Sequence, residues 1–524
     1  MPNEPFIPDQ FNAAEYFIDR HIVEGREGNI AIEYAGGTVT YGELYKKVNQ
    51  FGNGLKKIGI QKSDRVVLLL LDSPEFAVSF FGAIKVGAVP IPVNTLLMPS
   101  DYEYILNDSR ARVIVVNNTL LSKIESIQKE HLHYLEHIFV TGTESVNVQS
   151  FGVFLADQSD FLTPAPTGKD DMAFWLYSSG STGAPKACVH LQHDMVICSE
   201  YYARGIMHMT EHDRCFSVSK LFFAYGLGNA LYYPFAVGGT TILLAGSPKP
   251  EIVFDIIQKY RPTLFFSVPS NYAALLDYAD QKAGAALDIS SIHYGVSAGE
   301  TLPVALFNRF KARFNIDILD GIGCTEALQA FISNRPGDIR PGSSGKIIPG
   351  YEVKILDDDG APAKTGEPGN LFVKSAATCA YYWNQPEKTK ESIQGEWLRT
   401  GDKYYEDGDG YFWYVGRADD MMKCSGVWVS PIEIEAVLVQ HPAVFEAAVV
   451  GELDKNELMK PVAYITLRSG YKEGQELRKE LEQFVTERLP VYKRPRRIEF
   501  MTELPRTATG KIQRFKLRQD QVGQ

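Results

Sequence analysis

Residues Tyr177–His190 read Tyr-Ser-Ser-Gly-Ser-Thr-Gly-Ala-Pro-Lys-Ala-Cys-Val-His. Hydroxyls, two glycines and a lysine are concentrated in Ser178–Lys186. Glycines let backbone N–H groups close on an anion, and hydroxyls and a lysine add donors and charge. The stretch therefore suits a polyphosphate. It is not a Walker A loop, because Lys186 follows Pro185 and no Gly-x4-Gly-Lys spacing fits. A Ser/Gly linker would not continue into Pro-Lys and an apolar run.

Such a loop must be carried by a rigid frame. The chain has 524 residues, too many for one core, and is 45% hydrophobic and 22% charged, as soluble globular proteins are. Strand and helix signals alternate through the first three hundred or so residues. Ala173–Tyr177, just before the glycine-rich loop, reads as a strand. Arg65–Leu71, Ala88–Val93, Arg112–Val116, Thr240–Ala245, Thr263–Val268 and Ile316–Asp320 are buried-strand runs. Tyr41–Ile58, Pro74–Val86, Glu251–Tyr260 and Asn271–Asp280 have helical spacing. That alternation predicts α/β architecture with largely parallel sheets flanked by helices.

From about Gly345 the texture becomes β-rich. Glu352–Leu356, Asn370–Lys374 and Tyr411–Tyr414 alternate like half-buried antiparallel strands. After Arg417 a polar stretch precedes another α/β segment, with a helix over Ile432–Val439, strands over Ala447–Val450 and Val462–Leu467, and a helix over Gln475–Leu489. The expected organisation is a large N-terminal domain, 1–418, and a small mobile α+β C-terminal domain, 419–524.

Bulk properties exclude several function classes. A net charge of −11 disfavours nonspecific nucleic-acid binding. Lys493–Arg497 is a local basic cluster that runs against this balance, a solvated surface or a contact for a partner or phosphate. No apolar run is long enough for a membrane span, and the N-terminus has no signal-peptide pattern. Six scattered cysteines without a Cys-x-x-Cys pair fit a reducing cytoplasm and argue against a zinc ribbon.

Ser178–Lys186 resembles the signature loop of the adenylate-forming superfamily, which includes acyl- and aryl-CoA ligases. The rest of that family's pattern follows in order: Gly323-Cys-Thr-Glu326, Thr400-Gly-Asp402, Gly416-Arg-Ala-Asp-Asp420 with Lys423 and Gly426, and Pro505-Arg-Thr-Ala-Thr-Gly-Lys511. The resemblance runs from about Tyr41 to Arg514 and implies an enzyme that joins a carboxylate to AMP from ATP, then passes the acyl group to coenzyme A.

It also implies roles. Ser178, Ser179, Gly180, Ser181, Thr182, Gly183 and Lys186 would hold the β- and γ-phosphates. Thr325 would contact the α-phosphate, and Glu326 would help hold Mg²⁺. Asp402 would accept from the ribose hydroxyls, with Arg417 near ribose or phosphate. Ala298, Gly299 and Glu300 would face Asp320, Gly321 and Ile322 across the adenine. Ile322 departs from the family's usual tyrosine and packs without aromatic stacking. Lys511 would bridge carboxylate and α-phosphate. Asp419 would be the hinge about which the C-terminal domain turns, withdrawing Lys511 and bringing in Lys423, Ser425 and Gly426 for the thiol step.

For the acid, Leu221-Phe-Phe-Ala-Tyr-Gly226 and Asp320-Gly-Ile-Gly323 resemble benzoate- and hydroxybenzoate-CoA ligases. Ala224, Tyr225, Ala298 and Gly323 would form a flat apolar slot for an aromatic ring, with Phe223 as its aromatic gate and Lys423 entering from the mobile domain. Where that branch has Met-Leu-His-Ile after Thr-Glu, this chain has Ala327-Leu-Gln329-Ala330. The change enlarges the slot and offers Gln329 to a ring hydroxyl. Two other readings stand beside the free ligase: an enzyme loading a carrier protein's phosphopantetheine, and a nucleotide-binding regulatory protein without catalysis. The presence of Lys511, Glu326 and Asp402 together argues against the second. Acetyltransferase and deacetylase partners acting on Lys511 would switch its charge, and a homodimer is compatible with the resemblance.

Overall fold

The computed structural model describes residues 5–142, 149–178, 185–282, 287–424, 427–453, 458–506 and 512–519. Local sequence accounts for the elements. Thr40 caps the helix Tyr41–Lys57 in a reciprocal box with Glu43, and its buried stripe is Tyr41, Leu44, Val48, Phe51 and Leu55. That stripe packs on the helix Pro74–Lys85, which is buried all round. The helices meet at Gly82, where a Cβ would lie 2.9 Å from the Val48 carbonyl oxygen.

Among the described residues, the largest sheet runs in the order 346–347, 330–333, 318–323, 294–297, 264–267, 214–217, 240–242, 30–34, 37–40. Its central six strands are parallel. A second, all-parallel sheet is built from 65–69, 89–92, 113–117, 137–141 and 149–150. The α/β expectation holds, with strand ends shifted by one to three residues. The expected β-rich part is an antiparallel sheet of 352–356, 369–374, 393–394, 397–406 and 412–417.

The C-terminal residues have a sheet and core of their own. Val444–Leu453 and Met459–Leu467 pair antiparallel, and Ile498–Phe500 runs parallel to the second strand. Helices Pro431–Leu438 and Gln475–Thr486 cover them around Ile434, Leu438, Val449, Ile465, Leu481 and Val485. The basic cluster is spent largely on local pairing: Lys493 meets Glu433, and Arg497 lies 3.0 Å from Glu452.

Candidate active site

The strand Met172–Ser178 pairs antiparallel with Lys186–Leu191, and Ser178 sits opposite Lys186. The glycine-rich sequence therefore begins and ends on two paired strands. Ser179, Gly180, Ser181, Thr182 and Gly183 lie outside the described residues. A third short strand, Tyr381–Tyr382, pairs with Lys186–Leu191 and puts Tyr382 opposite Cys188. This places a tyrosine that the sequence did not single out at the loop's base.

Lys186, Glu326 and Tyr382 form one cluster. The Lys186 ammonium donates to Tyr382 Oη at 2.7 Å and lies 3.1 Å from Glu326 Oε1. Tyr382 Oη donates to the same carboxylate oxygen at 2.8 Å. Burial acts to raise the Glu326 pKa, but Lys186 and Tyr382 outweigh it and hold the carboxyl below its ordinary value. An ionised oxygen donor is therefore kept at the loop's base.

The turn bearing Thr325 and Glu326 is held from two sides. His190 Nε2 bonds the Thr325 carbonyl at 2.9 Å, and its Nδ1 bonds Asp194 Oδ2 at 2.8 Å. His190 and Asp194 are both fully buried. The Cys379 N–H donates to the Glu326 carbonyl at 2.7 Å. His190 lies within the quoted motif, yet sequence gave it no task; its partner Thr325 is 135 positions away.

The other wall stands at the C-terminal ends of parallel strands, where open α/β sheets form binding crevices. Ala298, Gly299 and Glu300 follow the strand Tyr294–Ser297, and Gly299 takes φ +89°. The adjacent strand, Ile318–Gly323, pairs parallel with it through Asp320, then antiparallel with Ala330–Ser333 from Gly321 onward. Asp320 is buried, and its Oδ1 has no hydrogen-bond partner among the described residues. Burial pushes its pKa well up, and backbone bonds from Gly321 and Leu302 only partly offset this. Ile322 is half-buried against the core. Gly323 is exposed, and a Cβ there would lie 2.5 Å from the Gln329 carbonyl oxygen, so glycine is needed for the bulge.

Phe223, Ala224 and Tyr225 are partly exposed, whereas Phe222 is buried. Tyr225 Oη reaches the carbonyls of Ser267 and Val296, each at 3.2 Å. Gln329 is buried, and its amide nitrogen donates to the Ala224 carbonyl at 2.6 Å and the Tyr225 carbonyl at 3.3 Å. Its N–H groups are thus occupied in fixing the slot's backbone. Ala330 is buried on the neighbouring strand.

Asp402 and Arg417 are cross-strand partners. Arg417 Nη1 lies 3.1 Å from Asp402 Oδ1 and 3.0 Å from the Thr400 carbonyl. The backbone of Asp419 lies in a 3-10 turn and that of Lys423 in a short strand; their side chains, and Ser425, Gly426 and Lys511, lie outside the described residues.

Residues 19–383 match the model of the AMP-binding enzyme family, and residues 433–511 match that of the AMP-binding enzyme C-terminal domain. The chain is 48% identical to the benzoate–CoA ligase of Thauera aromatica, across 98% of this chain and 96% of that one. Its structure resembles the anthranilate CoA ligase AuaEII in complex with anthranoyl-AMP, with a TM-score of 0.94, 43% identity and 98% of each chain covered. It also resembles a benzoate CoA ligase from Burkholderia xenovorans, with a TM-score of 0.88, 40% identity, 97% of this chain and all of that one. The chain belongs to the adenylate-forming family of AMP-binding enzymes.

Proposed function

We propose that this enzyme is an AMP-forming aryl-CoA ligase acting on a benzoate-type acid. The observation that carries the reading is the Lys186–Glu326–Tyr382 cluster at the base of the glycine-rich loop. Full-length identity to a benzoate–CoA ligase and likeness to a structure holding anthranoyl-AMP support the aromatic class. In the first step a carboxylate oxygen attacks the α-phosphorus, and the bond to pyrophosphate breaks. In the second a thiol loses its proton and attacks the acyl carbonyl, and AMP leaves.

The chain's residues divide the work. The 178–183 loop and Lys186 bind the terminal phosphates, and Thr325 faces the α-phosphate. Asp402 accepts from the ribose, sharing its carboxylate with Arg417. Ala298–Glu300 and Asp320–Ile322 enclose the adenine. Lys511 neutralises charge between carboxylate and phosphate. Residues 1–418 and 419–524 act as two units hinged at Asp419; after rotation, Lys423, Ser425 and Gly426 serve the thiol step.

Glu326 fits Mg²⁺, since a carboxylate held ionised is a suitable hard oxygen ligand. No group of three or more His, Cys, Asp or Glu among the described residues could cage an ion. Magnesium bound to a nucleotide needs only one or two carboxylates, with phosphate oxygens and water completing its shell. When bound, it would neutralise phosphate charge.

The slot formed by Phe223, Ala224, Tyr225, Gln329 and Ala330 takes the ring. An amide whose N–H groups are committed offers a substituent only its oxygen, so Gln329 favours a ring bearing a donor, hydroxyl or amino. Acid-dependent pyrophosphate exchange tests the first step, and AMP release with and without coenzyme A tests the acceptor. A kcat/KM panel of benzoate, hydroxybenzoates and 2-aminobenzoate tests the slot. Benzoate turned over much better than every substituted acid would refute the donor reading.

A further inference from the structure

On either side of the segment 507–511, the described chain closes into a stem. Arg506 and Ile512 form an antiparallel bridge, and the Gln513 N–H donates to the Pro505 carbonyl at 2.7 Å. Lys511 directly precedes Ile512 in the sequence. Arginines at the two ends of the stem have different partners. Arg514 grips Glu435 with Nη2 2.8 Å from both carboxylate oxygens, and lies 3.7 Å from Asp420. Its partners follow residue 418 and travel with the C-terminal unit.

Arg506 instead spans the two units. Its Nη2 bonds Glu446 on the C-terminal strand Val444–Leu453, and its Nη1 lies 3.3 Å from Glu300 Oε1. Glu300 follows Ala298 and Gly299 in the nucleotide wall, and its other oxygen accepts from the Ser270 N–H at 3.3 Å. A second charged contact crosses at a distance: Arg468 Nη1 lies 3.3 Å from Asp277, which also lies 3.5 Å from Arg309. Rotation of the C-terminal unit must release both contacts.

We propose that Arg506 is a positioning residue for adenylate formation: by joining Glu446 to Glu300 it seats the Lys511 stem against the nucleotide wall, with Arg468–Asp277 as a second latch. The inference rests on the aryl-CoA ligase reading. Its signature is asymmetry between the two steps, because contacts that cross from residues 1–418 to residues 419–524 break when the two rotate against each other.

The test uses full-length protein and two single-turnover rates: aryl-AMP formation from acid and ATP, and thioester formation from isolated aryl-AMP with coenzyme A. Arg506→Gln is expected to slow the first about fivefold and leave the second unchanged, the size of loss expected when partly exposed ion pairs are removed. Arg506→Lys is expected to recover part of that loss. Arg468→Gln shows the same asymmetry at a smaller size, and serves if Arg506→Gln folds poorly. Added salt narrows the gap between wild type and variant, as a partly exposed ion pair requires. Equal slowing of both steps, or unchanged adenylation in both glutamine variants, overturns the proposal. Wild-type protein forming no adenylate from any aromatic acid overturns the ligase reading and this inference together. Wild-type activity with unaffected variants overturns this inference alone.

Discussion

Around Glu326, two groups, Tyr382 and Lys186, share a single carboxylate oxygen at 2.8 and 3.1 Å, backed by buried contacts from His190 and Cys379. Around Arg506, a guanidinium reaches from one unit to the other, and the side chains stay roughly a quarter exposed, at 28% for Arg506 and 27% for Glu300. The first arrangement keeps its charges fixed before substrate arrives, the condition for electrostatic stabilisation at little reorganisation cost. The second trades strength for release, because a partly solvated pair is worth little and can be broken on each cycle. Under the proposed rotation, one site combines a fixed electrostatic floor with a detachable roof.

Removing the floor has the largest effect. Glu326→Gln is expected to lower acid-dependent pyrophosphate exchange by about 10²–10³, comparable to loss of a preorganised polar group. It also leaves the Lys186 ammonium without its carboxylate. The pH dependence follows from the sign of the shift. Glu326 titrates below its ordinary 4.5, so its charge is fully present above that value and disappears only as the pH falls through the lowered one. Exchange in wild type should therefore show no acid limb from this group between pH 7 and about 5. A limb there that vanishes in Glu326→Gln would refute the assignment.

Tyr382→Phe removes one hydroxyl that donates to Glu326 and accepts from Lys186. About a tenfold loss of adenylation kcat is expected, with KM for the acid little changed. His190→Gln cuts one step further back, where the imidazole ties the strand Lys186–Leu191 to the Thr325 carbonyl. A three- to tenfold loss of about the same kind is expected, since the turn can shift rather than collapse. If His190→Gln exceeds Glu326→Gln, the turn rather than the charge limits the reaction.

Glu326, Lys186 and Tyr382 were unequally legible in the sequence. Glu326 and Lys186 stood in motifs whose local order is itself informative. The helices Tyr41–Lys57 and Pro250–Tyr260 and the strand Glu352–Leu356 were readable because periodicity and caps are local properties. Tyr382 was not, because a two-residue strand carries no usable alternation and its partners are 56 and 196 positions away. Gln329 was legible as a pocket residue but not as a brace for Ala224, 105 positions earlier. Chain order gives the groups; antiparallel pairing across the molecule decides which of them touch.

The smallest expected effect sharpens the contrast between floor and wall. Asp320 is a buried carboxyl whose pKa burial drives well above 3.8, the opposite of Glu326. A raised folded value means that the folded protein binds the proton more tightly than the unfolded chain. The cost of ionising Asp320 therefore develops as pH rises through 3.8 toward the folded value, and is constant beyond it. Asp320→Asn removes that cost while keeping shape and hydrogen-bonding capacity. The variant should melt about 1–3 °C above wild type at pH 8, with the difference shrinking as pH falls toward 4. Scanning calorimetry at several pH values reads this directly. A variant less stable at pH 8 would show that the Asp320 carboxylate is ionised and satisfied in the fold, and that the wall, like the floor, holds a fixed negative charge.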